Sequence, residues 1–105
     1  MTRNANVMLV MYDLPVKTAL ERKQNLRFHK KIIKRGYNIV QKSVYAKLIR
    51  NKELIKSELK ELRDELPQSG EIKTLIINLA DFREMNSLVG PEFDMRLFAD
   101  EVLVV

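Results

Sequence analysis

Residues 7–12, VMLVMY, are continuously apolar, the pattern of a central strand covered on both faces. Asp13 follows at once, and Pro15 stops regular structure two residues later. Thr18-Ala19-Leu20-Glu21 reads as a capping box, with Thr18 as N-cap and Glu21 three residues on. It predicts a helix over 19–35, closed by Gly36 at the C′ position. YNIVQKSVYAKLI then gives two short β-prone runs, 38–41 and 43–49. In the second, Val44, Ala46 and Leu48 alternate against Tyr45 and Lys47. A second helix is expected after Asn51, over 52–66. Its Ile55, Leu59, Leu62 and Leu66 share one face, and Pro67 and Gly70 end it. Residues 72–79, IKTLIINL, form another apolar β-prone run, and 84–89 and 96–105 can each add a strand at an edge.

The order β-α-β-β-α-β is that of an α+β, ferredoxin-like fold: an antiparallel sheet with two helices on one face, here with a C-terminal edge strand. That architecture hosts many unrelated functions and decides none of them. The organisation expected is one domain over 1–90 and a tail, 91–105, that can serve as a partner-binding strand. A domain of this size leaves a sheet edge or face incompletely covered, so a symmetric homodimer is expected, with 84–89 completing the partner's sheet.

Composition narrows the chemistry. The chain has 105 residues, no cysteine and one histidine, which excludes disulfides, thiolate metal sites and any multi-histidine site within one chain. No apolar run is long enough to span a bilayer, and the start, MTRNANV, lacks the apolar stretch of a signal peptide, so a cytoplasmic protein is expected. The net charge is +5, but residues 1–50 carry 12 Lys/Arg against 2 Asp/Glu, while 51–105 carry 7 against 12. That asymmetry points to a polyanionic partner for the first half; a solvated basic surface is the bland alternative.

Much of the charge is on the first helix. With Leu26 at zero on a helical wheel, Lys30, Lys23, Lys34, Arg27, Lys31 and Arg35 fall between roughly 40° and 180°. Phe28, Ile32, His29, Ile33 and Leu26 fill the rest, from roughly 200° to 360°. A phosphate backbone would relieve the repulsion along such a stripe, through sequence-independent, salt-sensitive contacts. The candidate phosphate-binding residues are Lys17, Arg22, Lys23, Arg27 and Lys30, the first two because they flank the turn after strand one. The second helix, with four basic and five acidic residues, reads as an ordinary solvated surface. Phe28, Tyr37 and Tyr45 form no evident base-stacking platform. His29, in the apolar arc, reads as a partly buried, hydrogen-bonded histidine, with a catalytic base the alternative; Met8 and Met11 read as core fillers.

Asp13 is the candidate chemical group. A strand end can hold a carboxylate rigidly yet leave it open to solvent. The structural alternative is an Asx-type turn ahead of Pro15. One carboxylate is a poor metal site, and no second acid is near Asp13 in sequence.

An apolar strand ending in YDLP, a basic helix ending KKIIKRGY, and VQKSVY a few residues later resemble the Cas2 family, the small universal adaptation protein of CRISPR systems. The likeness runs from residue 7 to about 90, and ERK at the start of the helix with the DLP turn looks most like members from type II loci. The resemblance implies a homodimer in which Asp13 meets its copy across the two-fold axis, supplying the missing second carboxylate. Mg2+ (or Mn2+) would sit between the pair. It implies a DNA-binding scaffold of spacer integration, holding duplex DNA and bridging a Cas1-type CRISPR integrase in a hetero-oligomer. Its alternative is a metal-dependent endonuclease, an endoribonuclease or DNase, with Asp13 as catalytic and metal residue. Arg27, Gln41, Ser43 and Tyr45 are further matched positions. Ile39 stands where some nuclease-active relatives have arginine, which weakens the transfer of cleavage. The tail, ending Val102-Leu103-Val104-Val105, is expected to be covered, by a sheet edge of the dimer or by the integrase.

Overall fold

The inner strands of the sheet are β1 (Asn6–Asp13) and β3 (Val44–Ile49), flanked by β4 (Glu71–Asn78) and β2 (Asn38–Gln41) in the order β2-β3-β1-β4, all pairs antiparallel. The structure is a computed structural model and describes residues 5–98. The helices α1 (Ala19–Lys34) and α2 (Glu53–Arg63) make the two crossovers. Both lie on one face, where Phe28 and Ile32 of α1 and Ile55, Leu59 and Leu62 of α2 pack with Met8, Val10, Tyr45 and Ile49. This is the ferredoxin-like arrangement, with β1 running unbroken through the middle.

The unbroken apolar run of β1 has a simple cause: both faces are covered. Met8 and Val10 lie under the helices. Val7, with Ala46 and Leu48 of β3, packs on the other side against a second apolar cluster built by Leu79, Phe82 and Phe98. The alternation in β3 likewise sorts its residues between two buried faces, so Tyr45 is as buried as Ala46. The second cover is a short α3 (Leu79–Arg83) and a 3-10 turn (Met95–Phe98), where Phe82 and Phe98 pack with Phe93 of the intervening loop in edge-on and tilted ring contacts.

Local signals behave as their chemistry dictates. The Thr18 hydroxyl accepts from the Glu21 N–H at 3.1 Å, and Glu21 Oε1 accepts from the Thr18 N–H at 2.9 Å, the complete capping box. Gly36, at φ +90°, ends α1.

Four expectations change. Helix α2 stops at Arg63, short of 66, at a backbone break that precedes the Leu66-Pro67 step. Asp64 turns extended, Glu65 takes φ +56°, and Leu66 is left half-exposed instead of joining the apolar face. Leu26 and Ile33 do not join the core and are 52% and 49% exposed. They lie on the flank of α1 turned away from Lys31 and Arg35, which reach the α2 region. Residues 84–89 form no strand: they are a turn and loop after α3, with the Ser87 hydroxyl donating to the carbonyls of Val89 and Gly90. The expected strand over 96–105 begins instead with helical turn, and Phe98 is buried; its remainder, 99–105, lies outside the described residues.

Candidate functional site

Asp13 is the last residue of β1 and is exposed. Its carboxylate makes no hydrogen bond or ion pair among the described residues, so it does not serve as the acceptor of an Asx turn. Strand alternation puts it on the side away from the helices, with Val7, Leu9 and Met11. Antiparallel register sets it directly opposite Glu71 of β4, and Met11 opposite Lys73. Two carboxylates facing across a ladder repel each other. Lys73 answers this by pairing with Glu71, Nζ to Oε1 at 2.6 Å, and that contact holds the Glu71 carboxyl below its ordinary range. With Lys42 and Ser43, these groups rim a shallow depression of about 310 Å³.

Backbone holds the position of Asp13. Leu14 is buried in the helix-side core. The Tyr12 N–H donates to the Ser43 carbonyl at 3.0 Å, tying the strand end to the β2–β3 turn, where Ser43 sits at φ +65°. Gly70, at φ +96° in the turn just before β4, presses from below. A Cβ there would lie 2.7 Å from the Asp13 carbonyl oxygen and 2.8 Å from Leu14 Cδ2.

The basic stripe of α1 divides by use. Lys31 Nζ donates to the Asp64 carbonyl. Arg35 forms a bidentate pair with Glu58 at 2.9 Å on both arms and approaches Glu61. Arg22 Nη1 donates to the carbonyls of Val16 and Lys17, at 3.2 and 2.9 Å, and so braces the β1–α1 turn while keeping its charge. Lys23, Arg27, Lys30 and Lys34 are exposed, with no side-chain partner among the described residues; Lys17 is likewise exposed. Gln24, Lys31 and Arg35 contact the α2 region, and Phe28 and Ile32 face the sheet. The row Lys23, Arg27, Lys30 and Lys34 therefore points outward from the helical layer. Lys34 belongs to it beside the expected Lys23, Arg27 and Lys30, whereas Arg22 is partly engaged in the turn.

Two polar clusters rigidify the layer beneath this row. Glu58 is buried between Arg35 and Lys47, whose Nζ lies 3.1 Å from Glu58 Oε2. Burial alone would raise its carboxyl, but hydrogen bonds from Arg35 and Lys47 outweigh that and hold it low. His29 Nδ1 lies 3.2 Å from the hydroxyls of both Tyr12 and Tyr45, whose rings stack in parallel. His29 is thus partly buried and hydrogen-bonded, and burial, then the Tyr45 contact, raises the Tyr12 phenol. These aromatics are used up inside the fold and present no base-stacking surface.

For a hard cation such as Mg2+, Asp13 and Glu71 supply the right donor chemistry. Among the described residues no three His, Cys, Asp or Glu come together, so one chain brings at most a carboxylate pair. Sequence reasoning missed Glu71, whose proximity is created only by the β1–β4 register. No helix among the described residues is long and apolar enough to cross a membrane.

Comparison with known proteins agrees with this layout. The family model described as CRISPR associated protein Cas2 matches residues 6–85, the sheet, both long helices and α3. A relative from Treponema denticola, named CRISPR-associated endoribonuclease Cas2, is 34% identical over 92% of this chain and 96% of its own. Relatives of the same name from Ligilactobacillus salivarius and Streptococcus mutans are 29% and 34% identical. They cover 93% and 79% of this chain and 98% and 78% of their own.

Proposed function

The chain belongs to the family of CRISPR-associated protein Cas2, and on that premise we propose that it is a homodimeric nucleic-acid-binding scaffold of CRISPR adaptation. In this reading it holds duplex DNA for a Cas1-type integrase in the cytoplasm, and the likeness of its ERK and DLP segments suggests a type II locus. The observation that carries the reading is the outward row Lys23, Arg27, Lys30 and Lys34, four exposed cations without partners among the described residues. Cations at this spacing match the sequence-independent contacts of a phosphate backbone. A homodimer is supported by the sheet face away from the helices. Its far end is left open: Leu75, opposite Leu9, is 52% exposed, beside Met11, Val44 and Asp13. A second copy closing over that apolar end would bring the two Asp13 residues toward each other.

The test is fluorescence anisotropy of a labelled duplex across a salt series. Replacing Arg27 and Lys30 with alanine should weaken binding on all sequences alike and reduce the salt slope by about one to two. An unchanged slope overturns the assignment.

A second reading, a metal-dependent endonuclease, is favoured by the unpartnered, exposed Asp13 next to Glu71, and by the name the relatives carry. Asp13, shared across a dimer, would hold Mg2+ or Mn2+, which supplies an activated water or steadies a leaving oxygen. Asp13→Asn should then abolish cleavage of labelled RNA or duplex DNA while leaving anisotropy unchanged. Cleavage that survives the substitution counts against this site.

A further inference from the structure

The acidic character of the second half of the chain hides a sorting of charge on α2. With Ile55 at zero on the helical wheel, Leu59 and Leu62 fall within about 40° of it, on the core side. Glu58 and Glu61 fall between roughly 240° and 300°, and both meet Arg35 of α1. Lys52, Arg63, Lys56 and Lys60 fall between roughly 60° and 140°, away from α1. Arg63 there borders a hollow of about 300 Å³ with Ile72 and Thr74 of β4, which fixes the direction of this flank toward the β4 edge. All four cations are exposed and have no side-chain partner among the described residues. Glu53 and Asp64 lie between this row and the one on α1, so the two rows are separate surfaces.

Helix stability does not account for this row. Lys60 and Arg63, in the last turn, suit the helix dipole. Lys52 does not: it occupies the N-cap, makes no capping hydrogen bond, and puts positive charge at the positive end of the dipole. The capping bond comes instead from Asn51, whose Oδ1 accepts from the Leu54 N–H at 3.1 Å. Lys52–Lys56 and Lys56–Lys60 are like-charge i,i+4 pairs, each unfavourable by about 0.2–0.5 kcal/mol. The helix thus tolerates repulsion along its length to keep one flank cationic, as α1 does with Lys23–Arg27 and Lys30–Lys34.

We propose that the flank Lys52, Lys56, Lys60 and Arg63 is a second phosphodiester-binding surface, so that each protomer grips nucleic acid along α2 as well as along α1. The row is about 16.5 Å long at the helical rise per residue. It therefore spans on the order of five nucleotides of one strand at 3.4 Å each. The inference rests on the scaffold reading, so the two rows are tested side by side.

The experiment titrates labelled duplex and single-stranded DNA with the full chain and two variants, over a salt series. One variant carries Lys56→Gln, Lys60→Gln and Arg63→Gln; the other is the Arg27/Lys30 alanine pair. The α2 variant should lower the duplex salt slope by about two to three, and the single-strand slope somewhat less. Its urea midpoint should change little, since relief of the Lys52–Lys56 and Lys56–Lys60 repulsions offsets the lost helix-dipole contribution of Lys60 and Arg63. If the α1 variant weakens binding and the α2 variant leaves affinity and slope untouched, the second surface is refuted while the scaffold reading stands. If neither changes the slope, both fall. An acidic protein segment as the occupant of the flank would appear as the first of these outcomes.

Discussion

Gly70→Ala isolates what holds Asp13 in place. Two glycines share nearly the same backbone angle, Gly36 at φ +90° and Gly70 at φ +96°, but not the same surroundings. A Cβ on Gly36 would meet nothing closer than Lys47 Cε at 4.0 Å. On Gly70 it would lie 2.7 Å from the Asp13 carbonyl oxygen, 2.8 Å from Leu14 Cδ2 and 3.0 Å from Pro15 Cδ. Gly36→Ala therefore carries only the conformational cost, about 1–2 kcal/mol. Gly70→Ala carries the same cost and an overlap with backbone that no rotamer change can relieve, about 1–3 kcal/mol more. In a domain of this size the difference is a further loss of roughly 5–20 °C in Tm beyond Gly36→Ala. Urea and thermal unfolding of the two variants measure it, and amide NMR shifts localise it: Asp13 and Leu14 should move in Gly70→Ala and not in Gly36→Ala. Equal stability of the two variants, or an unmoved Asp13 amide, refutes the claim that the turn before β4 clamps the end of β1.

Glu58→Ala leaves Arg35 and Lys47 unpaired at the junction of α1, α2 and β3, and should lower stability by about 3 kcal/mol in urea unfolding. Because the Glu58 carboxyl is held below its ordinary value in the fold, its contribution is complete above the unfolded pKa and is lost as pH falls through the folded one. Stability of the unsubstituted chain should therefore fall as pH drops below the ordinary carboxylate range, with a shallower drop in Glu58→Gln. Leu75→Lys, at the open end of the sheet face, should shift sedimentation at micromolar concentration from dimer toward monomer. A monomer before substitution refutes the dimer itself.

What was legible in the sequence was whatever depends on near neighbours. The capping box at Thr18, the stop at Gly36 and the two-faced burial of β1 each follow from a few consecutive residues, and each appears as expected. The end of α2 was misread because the apolar spacing runs on through Leu66, while the chain leaves the helix at Asp64 and turns left-handed at Glu65, a break that spacing alone does not show. The short α3 and the 3-10 turn were invisible because each spans too few residues to show a period; their signal was three phenylalanines at 82, 93 and 98. At the site, Asp13 was legible from its abrupt place after an apolar run. Glu71 and Lys73 were not, because only the pairing of β1 with β4 brings them to it. The division of the α1 cations was equally hidden, since it depends on which α2 carboxylates and carbonyls lie within reach.

The placement of charge bears on how holding and cutting can be related. The outward row of α1 stands on the helical side of the sheet, while Asp13 and Glu71 are on the side away from the helices, at the end of β1 and the start of β4. A duplex lying along the row cannot present the same phosphates to the Asp13 of that protomer without passing around the β1–α1 turn, where Lys17 is exposed and Arg22 braces the carbonyls. The two proposed activities would thus be mechanically separable in one chain. Binding on the helical side needs no carboxylate, and a carboxylate closed over by a second copy need not touch the bound duplex. That separation makes the Asp13→Asn comparison discriminating, since a change in duplex affinity would mean the two surfaces meet.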